Sequence, residues 1–506
     1  MSSNLDEETP GQTPPQPAAS LVVIMGAGPA GLTAAWELAH NGVEVEVLEA
    51  DPEKVGGIAR TASYKGFRFD IGGHRFFTKA EEVTRLWHEI LEPEAWLKVE
   101  RLSRIYYRNK FFAYPLKPMD ALTKLGVWQT ALSMLSYGKA KLLPIKPERS
   151  LEDWVTNRFG KKLYRMFFKT YTEKVWGIPC DKISADWAAQ RIKGLSLVGA
   201  IRNAFARKPT GADGEVVKTL IEQFEYPKLG PGMMWERAVE KLTARGIPIH
   251  MGSPVTALNR DPGGLTSIST TSGNGTRLIG GSHFISSLPI RELVGMLNPP
   301  ATPEVIEAAE ALSYRDFLTV VLVVDQPDLF PDNWIYIHEP EVRLGRVQNF
   351  KNWSPHMVPD PSKTALGLEY FCTEGDDLWE MADDDLLALG RKEVDELGLA
   401  RRADIEDGTV VRMKKAYPVY DEHYEQNVAV VRDFLTEHVP NLQLVGRNGM
   451  HKYNNQDHSM MTALLAARNL LGETWDPWKV NTDAEYHEQA GPDHDTAGRA
   501  VPEQIN

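Results

Sequence analysis

Five apolar residues, Leu21 to Met25, run up to a glycine, and behind them Ala30 to His40 carries apolar residues at three-to-four spacing. The pattern predicts a buried parallel strand feeding a helix. A second strand is expected over Val43 to Leu48, ending at Glu49. Farther on, a glycine-containing loop (Gly230, Gly232), a helix over Met234 to Arg245 and strand-like runs ending at His283-Phe-Ile-Ser-Ser are expected to close the same sheet. Leu442 to Val445 reads as another buried strand ending in Gly446-Arg447, and Ser459 to Leu471 as a helix capped by its serine. Residues 118 to 208 have a different texture: Leu151, Trp154, Val155, Phe159, Leu163, Tyr164, Phe167 and Phe168 repeat at helical spacing, as core packing does. Residues 315 to 372 carry β-branched and aromatic runs, Phe317 to Val324 and Trp334 to Ile337, which predict an antiparallel sheet.

The first turn holds the chemistry. Gly26 permits a tight turn, Gly28 with Pro29 and Ala30 lets backbone approach a pyrophosphate, and Gly31 lets the helix lie close to the strand. The helix N-terminus then faces the phosphates. Glu49, about 20 residues past the glycines, is placed to accept hydrogen bonds from an adenosine ribose. Gly56, Gly57 and Arg60 follow, as in flavoproteins, where a second backbone turn and a guanidinium reach the pyrophosphate. The expected cofactor is FAD rather than a nicotinamide.

Composition sets bounds. The chain has 506 residues, 42% hydrophobic and 25% charged, enough for two or three domains. A net charge of -13 disfavours a nucleic-acid surface, though a local arginine cluster still admits anionic substrates. Cys180 and Cys372 are the two cysteines and form no CxxC, so neither a disulfide framework nor a cysteine-rich metal site is expected, and a cytoplasmic location is. No segment approaches the apolar length of a membrane span. HExxH, nucleophile-elbow and P-loop motifs are absent. The fold class is α/β: a Rossmann-like FAD-binding domain (21–80, 225–290 and 425–472), a helical substrate or lid domain (118–215) and an antiparallel substrate sheet (81–117 and 291–424), their segments interleaved. Residues 1–20 read as a disordered proline-rich leader and 483–506 as a flexible tail.

Further motifs carry a resemblance. They are Gly72-Gly73-His74-Arg75-Phe76-Phe77, Lys169 to Gly177 with Trp176 at a helix end, Trp187 to Arg191, Gly345-Arg346 to Pro355, Ala416-Tyr417-Pro418, and Lys452-Tyr453-Asn-Asn-Gln456-Asp457-His458-Ser459. Together they resemble the UDP-galactopyranose mutases, closest to the longer eukaryotic type, within the superfamily of protoporphyrinogen and amine oxidases. The resemblance implies a nucleotide-sugar substrate and pyranose/furanose interconversion through a reduced-flavin N5–sugar adduct, with NAD(P)H a candidate reductant. It implies catalytic roles for Arg191, Arg346 and His74, and substrate contacts from Trp176, Tyr417, Tyr453, Asn349 and Thr172. To the cofactor set it adds Gly73, His74, Val255, Gly446, Arg447, Asn455, Gln456, Asp457 and Ser459. Guanidinium groups suit this task because they meet phosphate oxygens in a bidentate geometry. Arg75, Arg104 and Lys110 add positive charge for the nucleotide or a nicotinamide, or form ordinary solvated faces. An active-site lid is expected near 190–215, and homo-oligomerisation is left open.

The sequence also departs from the mutase pattern. Ile105 to Pro115 keeps only the aromatic-proline ending, and Thr172 stands where the eukaryotic motif carries an amide. These changes leave the sugar and the nucleotide open. The alternative is an FAD oxidoreductase of the protoporphyrinogen or amine oxidase type, removing hydride from a small substrate.

Overall fold

The computed structural model describes residues 21–114, 116, 118–185, 223–272 and 275–481. Expectations for the leader, the tail, the 190–215 lid and Arg191 lie outside these residues. Val22–Met25 stands inside a five-stranded parallel sheet, in the order Leu442–Leu444, His283–Ser286, Val22–Met25, Val45–Leu48, Ile249–His250. Its unbroken apolar run has a direct cause. Val22 and Ile24 point into a core with Leu32, Trp36, Trp235 and Leu464, while Val23 and Met25 point into another with Phe284, Ile290 and Phe434. A strand covered on both faces has no polar side to alternate with.

Helices Pro29–His40, Gly232–Ala244 and Gln456–Leu470 form the first of those layers. The His283–Ser286 run was expected to close this sheet, but it lies inside, and Leu442–Leu444 is the edge. The last helix also begins earlier than Ser459. Asn455 precedes its first turn in an extended conformation, its N–H donates to His458 Nδ1 at 3.3 Å, and the Ser459 N–H already donates to the Asn455 carbonyl at 2.9 Å. Asn455 is therefore the cap.

A seven-stranded sheet runs in the order Ile405–Pro418, Tyr314–Val324, Thr364–Cys372, Arg346–Asn349, Trp334–Ile337, Ser103–Tyr107, Lys110–Ala113. It is antiparallel as expected, with one exception. Trp334–Ile337 pairs in parallel with Ser103–Tyr107, Trp334 opposite Ser103. Against one side lies the helical segment: Val127–Leu142, Leu151–Phe159, Lys161–Tyr164, a π-helical turn at Arg165–Lys169, and Thr170–Trp176. Trp154, Val155, Phe159, Leu163, Tyr164 and Phe167 are buried in one cluster, as core residues. Among the described residues, no helix is long and apolar enough to cross a membrane.

Candidate active site

A cavity of about 360 Å³ runs from the first strand–helix turn to the face of the seven-stranded sheet. Gly26, Gly28, Pro29, Ala30, Glu49, Gly57 and Arg60 line one end, and His74, Arg346, Tyr417 and Tyr453 the other. Gly73, Gly446, Arg447, Asn455, Gln456, Asp457 and Ser459 complete the wall. Gly31 and Gly56 lie just behind it.

The grip fits a dinucleotide, as its glycines show. A Cβ on Gly31 would sit 1.8 Å from the Gly26 carbonyl oxygen, so only glycine allows this helix to approach this strand. Gly26 itself holds φ at +102°, a left-handed conformation that side chains resist. Gly28 is the extended residue before the Pro29–His40 helix and supplies no side-chain cap, so the first amide groups of that helix remain for a ligand. A Cβ on Gly28 would lie 3.9 Å from the Gly57 Cα, placing two bare backbones face to face. The Gln456–Leu470 helix brings a second N-terminus to the same wall. Its macrodipole adds to the positive field that phosphates require.

Glu49 is fixed by its neighbours. Its Oε2 accepts the Ala27 N–H at 2.7 Å and its Oε1 the Asp51 N–H at 2.9 Å, leaving lone pairs on both oxygens for hydroxyl donors. Arg60 reaches the cavity while its Nη1 donates to Asp51 at 2.5 Å. Val255 does not line the cavity; it starts the strand Val255–Asp261.

At the far end, burial drives the His74 imidazole down to about 4, and the Arg447 and Arg346 charges push the same way. His74 is therefore neutral near pH 7. Its Nε2 lies 3.0 Å from the Ile71 carbonyl, which can only accept, so Nε2 carries the proton and Nδ1 is an acceptor. Arg346 stands directly across from Glu369 in the sheet register. Its Nε and Nη2 donate to Glu369 Oε2 at 2.7 and 2.5 Å, and Gln348 Nε2 donates to the other carboxylate oxygen at 2.6 Å. Burial alone would disfavour the Arg346 charge, yet the Glu369 carboxylate beside it holds it protonated.

Tyr417 and Tyr453 stack with centroids 5.6 Å apart and planes 12° from parallel. The Arg447 guanidinium lies 4.9 Å from the Tyr453 ring and 5.6 Å from that of Tyr417. Its Nε and Nη1 donate to the Asn454 and Ala416 carbonyls at 2.9 and 2.8 Å, and it has no carboxylate partner among the described residues. Burial raises the Tyr417 phenol above its ordinary range, so it stays a neutral donor.

Other expected substrate residues stand back from the cavity. Trp176 is buried behind it, its ring 6.0 Å from Tyr453 and 6.4 Å from Tyr417, where it backs the tyrosine pair. Thr172 is half-buried one turn earlier and does not line the cavity. Asn349 is set apart from it: its side chain is buried and directed at the Phe330 carbonyl. Among the extra cations, Arg75 lines the cavity. Arg104 instead forms a two-pronged pair with the buried Asp332, and Lys110 donates to the Lys124 carbonyl.

Sequence reasoning missed Glu369 and the second role of Arg447. The signal for Glu369 was present, a lone carboxylate in the otherwise apolar run Thr364–Cys372.

Comparison with known proteins agrees with this geometry. Residues 29–471 match the family model of flavin containing amine oxidoreductases. Protoporphyrinogen oxidase 2 of Arabidopsis thaliana is 26% identical over 202 residues, 37% of this chain and 40% of that protein. The L-amino acid oxidase Cdc18 of Crotalus durissus cumanensis is 35% identical over 112 residues, 20% of this chain and 22% of its own. The chain thus spans less than half the length of either curated relative. A reduced UDP-galactopyranose mutase structure superposes with a TM-score of 0.76 at 22% identity, covering 90% of this chain and 94% of that one, which is a likeness of fold. The family model spans residues 29–471 of the 506, and the chain belongs to the flavin-containing amine oxidoreductase family.

Proposed function

We propose that the protein is a flavin-dependent nucleotide-sugar mutase that interconverts pyranose and furanose rings. The observation that carries this reading is one continuous cavity joining the dinucleotide grip to Arg346, Arg447 and the stacked Tyr417–Tyr453 pair. Two guanidinium groups and two phenol hydroxyls form a receptor for a doubly charged leaving group. The chemistry a bound flavin supplies is a nucleophile when reduced and a hydride acceptor when oxidised.

The chain's own residues do the rest. Arg346, fixed on Glu369 through two donors, keeps Nη1 for a phosphate oxygen. The phenols of Tyr417 and Tyr453 suit further donation to the same group, and Trp176 holds their rings from behind. A departing diphosphate retained by such contacts stays within reach for recombination, which a mutase needs and a hydrolase does not. Arg191 is a further guanidinium that the sequence resemblance assigns to the same clamp.

A second reading, hydride removal from a small substrate, draws on one feature. Uncharged His74 lines the cavity together with Phe317 and Met413, a weakly polar wall that suits a small substrate presented to an oxidised flavin. The two readings separate in one experiment. FAD-loaded protein, oxidised or reduced by dithionite or NAD(P)H, is incubated with UDP-, dTDP- and GDP-hexopyranoses, and products are resolved by anion-exchange chromatography. The mutase reading expects furanose isomers only from the reduced enzyme, with no net change in flavin absorbance. Stoichiometric bleaching of oxidised flavin, without isomerisation in any sample, would overturn it in favour of the oxidoreductase.

A further inference from the structure

The largest exposed apolar side chains gather on one helix, far along the chain from the cavity-lining residues. In Val127–Leu142, Trp128 is 74% exposed, Leu135 72% and Leu142 82%, spaced seven residues apart and so on one face. Val127 and Leu143 extend that face at its two ends. The opposite face is firmly seated. Ser133 and Ala140 are buried, Lys162 N–H donates to Ser136 Oγ at 3.0 Å, and a Cβ on Gly160 would fall 2.7 Å from the Tyr137 backbone nitrogen. The helix is therefore amphipathic in an unusual sense, with its second apolar stripe turned to solvent. Scattered surface leucines are ordinary, whereas a tryptophan and two leucines repeated along one exposed helix face mark an interaction surface.

Charge narrows the partner. From Val127 to Pro147 there is no acidic residue, while Lys139, Lys141 and Lys146 are exposed, in a chain whose net charge is -13. Two neighbouring acids are already paired: Asp120 with Lys124, and Glu148 with Arg158 at 2.9 Å. A two-fold contact with a second copy would set these lysines against their own kind, which is repulsive. A tryptophan and leucines on one face, with Lys139 between Leu135 and Leu142 and Lys141 and Lys146 to the side and beyond, match a helix lying in the plane of an anionic bilayer surface, the long lysine stems reaching up to the headgroups. We infer that the Val127–Leu142 helix docks the protein peripherally on membranes rich in anionic phospholipid, its apolar stripe in the headgroup boundary and its lysines against lipid phosphates.

The test is co-sedimentation of the FAD-loaded full-length protein with vesicles of phosphatidylcholine alone, or of equal parts phosphatidylcholine and phosphatidylglycerol. Three lysines near the surface predict about a hundredfold preference for the anionic vesicles, weakened by salt. Trp128→Glu/Leu135→Glu/Leu142→Glu should abolish binding, and Lys139→Gln/Lys141→Gln/Lys146→Gln should remove the anionic preference while leaving flavin absorbance and melting temperature unchanged. Equal partition of wild type and the glutamate variant overturns the inference. So does a wild-type dimer, seen by sedimentation velocity, that becomes monomeric in the glutamate variant, since a second copy then occupies the face.

Discussion

Arg346 and Glu369 form the pair whose removal tests the site most sharply. Glu369→Leu leaves a guanidinium buried without its counter-ion and takes the acceptor from Gln348, while Arg346→Leu leaves a carboxylate that is only 1% exposed. Three donors converge on that carboxylate, each bond to a charged group being worth about 1.5–3 kcal/mol before desolvation is subtracted. Breaking a buried pair from one side costs about 3–5 kcal/mol, whereas replacing both partners with apolar residues is close to neutral. The double variant should therefore recover most of the loss, giving a coupling energy of about 3 kcal/mol or more across the cycle. Urea unfolding followed by tryptophan fluorescence measures the stability of all four proteins, and flavin absorbance reports whether the grip survives. Turnover should be lost in every variant that lacks Arg346, including the stable double one. Additive single effects, with coupling below about 0.5 kcal/mol, would show that the two residues do not act as a unit. Undiminished turnover in Arg346→Leu would remove the arginine from the reaction altogether.

Three further outcomes are expected. Gly31→Ala places a methyl 1.8 Å from the Gly26 oxygen, so purified protein should emerge without flavin, or not fold; a yellow, stable variant would refute the close-approach argument. Glu49→Gln turns an amide donor toward one of the Ala27 and Asp51 N–H groups, and the dissociation constant for FAD, measured by fluorescence quenching, should rise at least about tenfold, in line with the cost of one charged hydrogen bond. Burial pushes His451 down to about 4, so between an unfolded value near 6.5 and that point the unfolded chain binds a proton that the folded chain refuses. Stability then falls as pH falls through this window, and His451→Gln should flatten the pH dependence of the melting temperature relative to wild type, an effect absent above pH 7.

The grip was readable in the sequence because its demands are local. A strand, three glycines, a helix and an acid lie within thirty residues, and each glycine answers a steric need of its own turn. The clamp was readable only in part. Arg346, Tyr417 and Tyr453 are marked by motif resemblance, and the cavity brings them together, but the pairing of Arg346 with Glu369 depends on the register between two strands, which no local pattern states. The parallel pairing of Trp334 with Ser103 joins positions more than two hundred residues apart, so the alternation of either strand is silent about it. At the last helix, the polar stretch Lys452–Asn455 obscured the start. Asn455 is as good a capping residue as Ser459, and the competing signal was resolved only by geometry.

The order of the parallel sheet has a consequence for how the protein is made. Strand Val22–Met25 leaves the ribosome early, yet its neighbour His283–Ser286 and the edge strand Leu442–Leu444 come from the middle and the far end of the chain. The Gln456–Leu470 helix, which closes the wall above the first glycine turn, follows later still. Pairings of such sequence separation form slowly, because the intervening chain must first be brought together. Capture of the flavin is therefore a late event in biogenesis, and a chain stopped short of residue 440 would carry the glycines of the first two turns and still be unable to retain its cofactor.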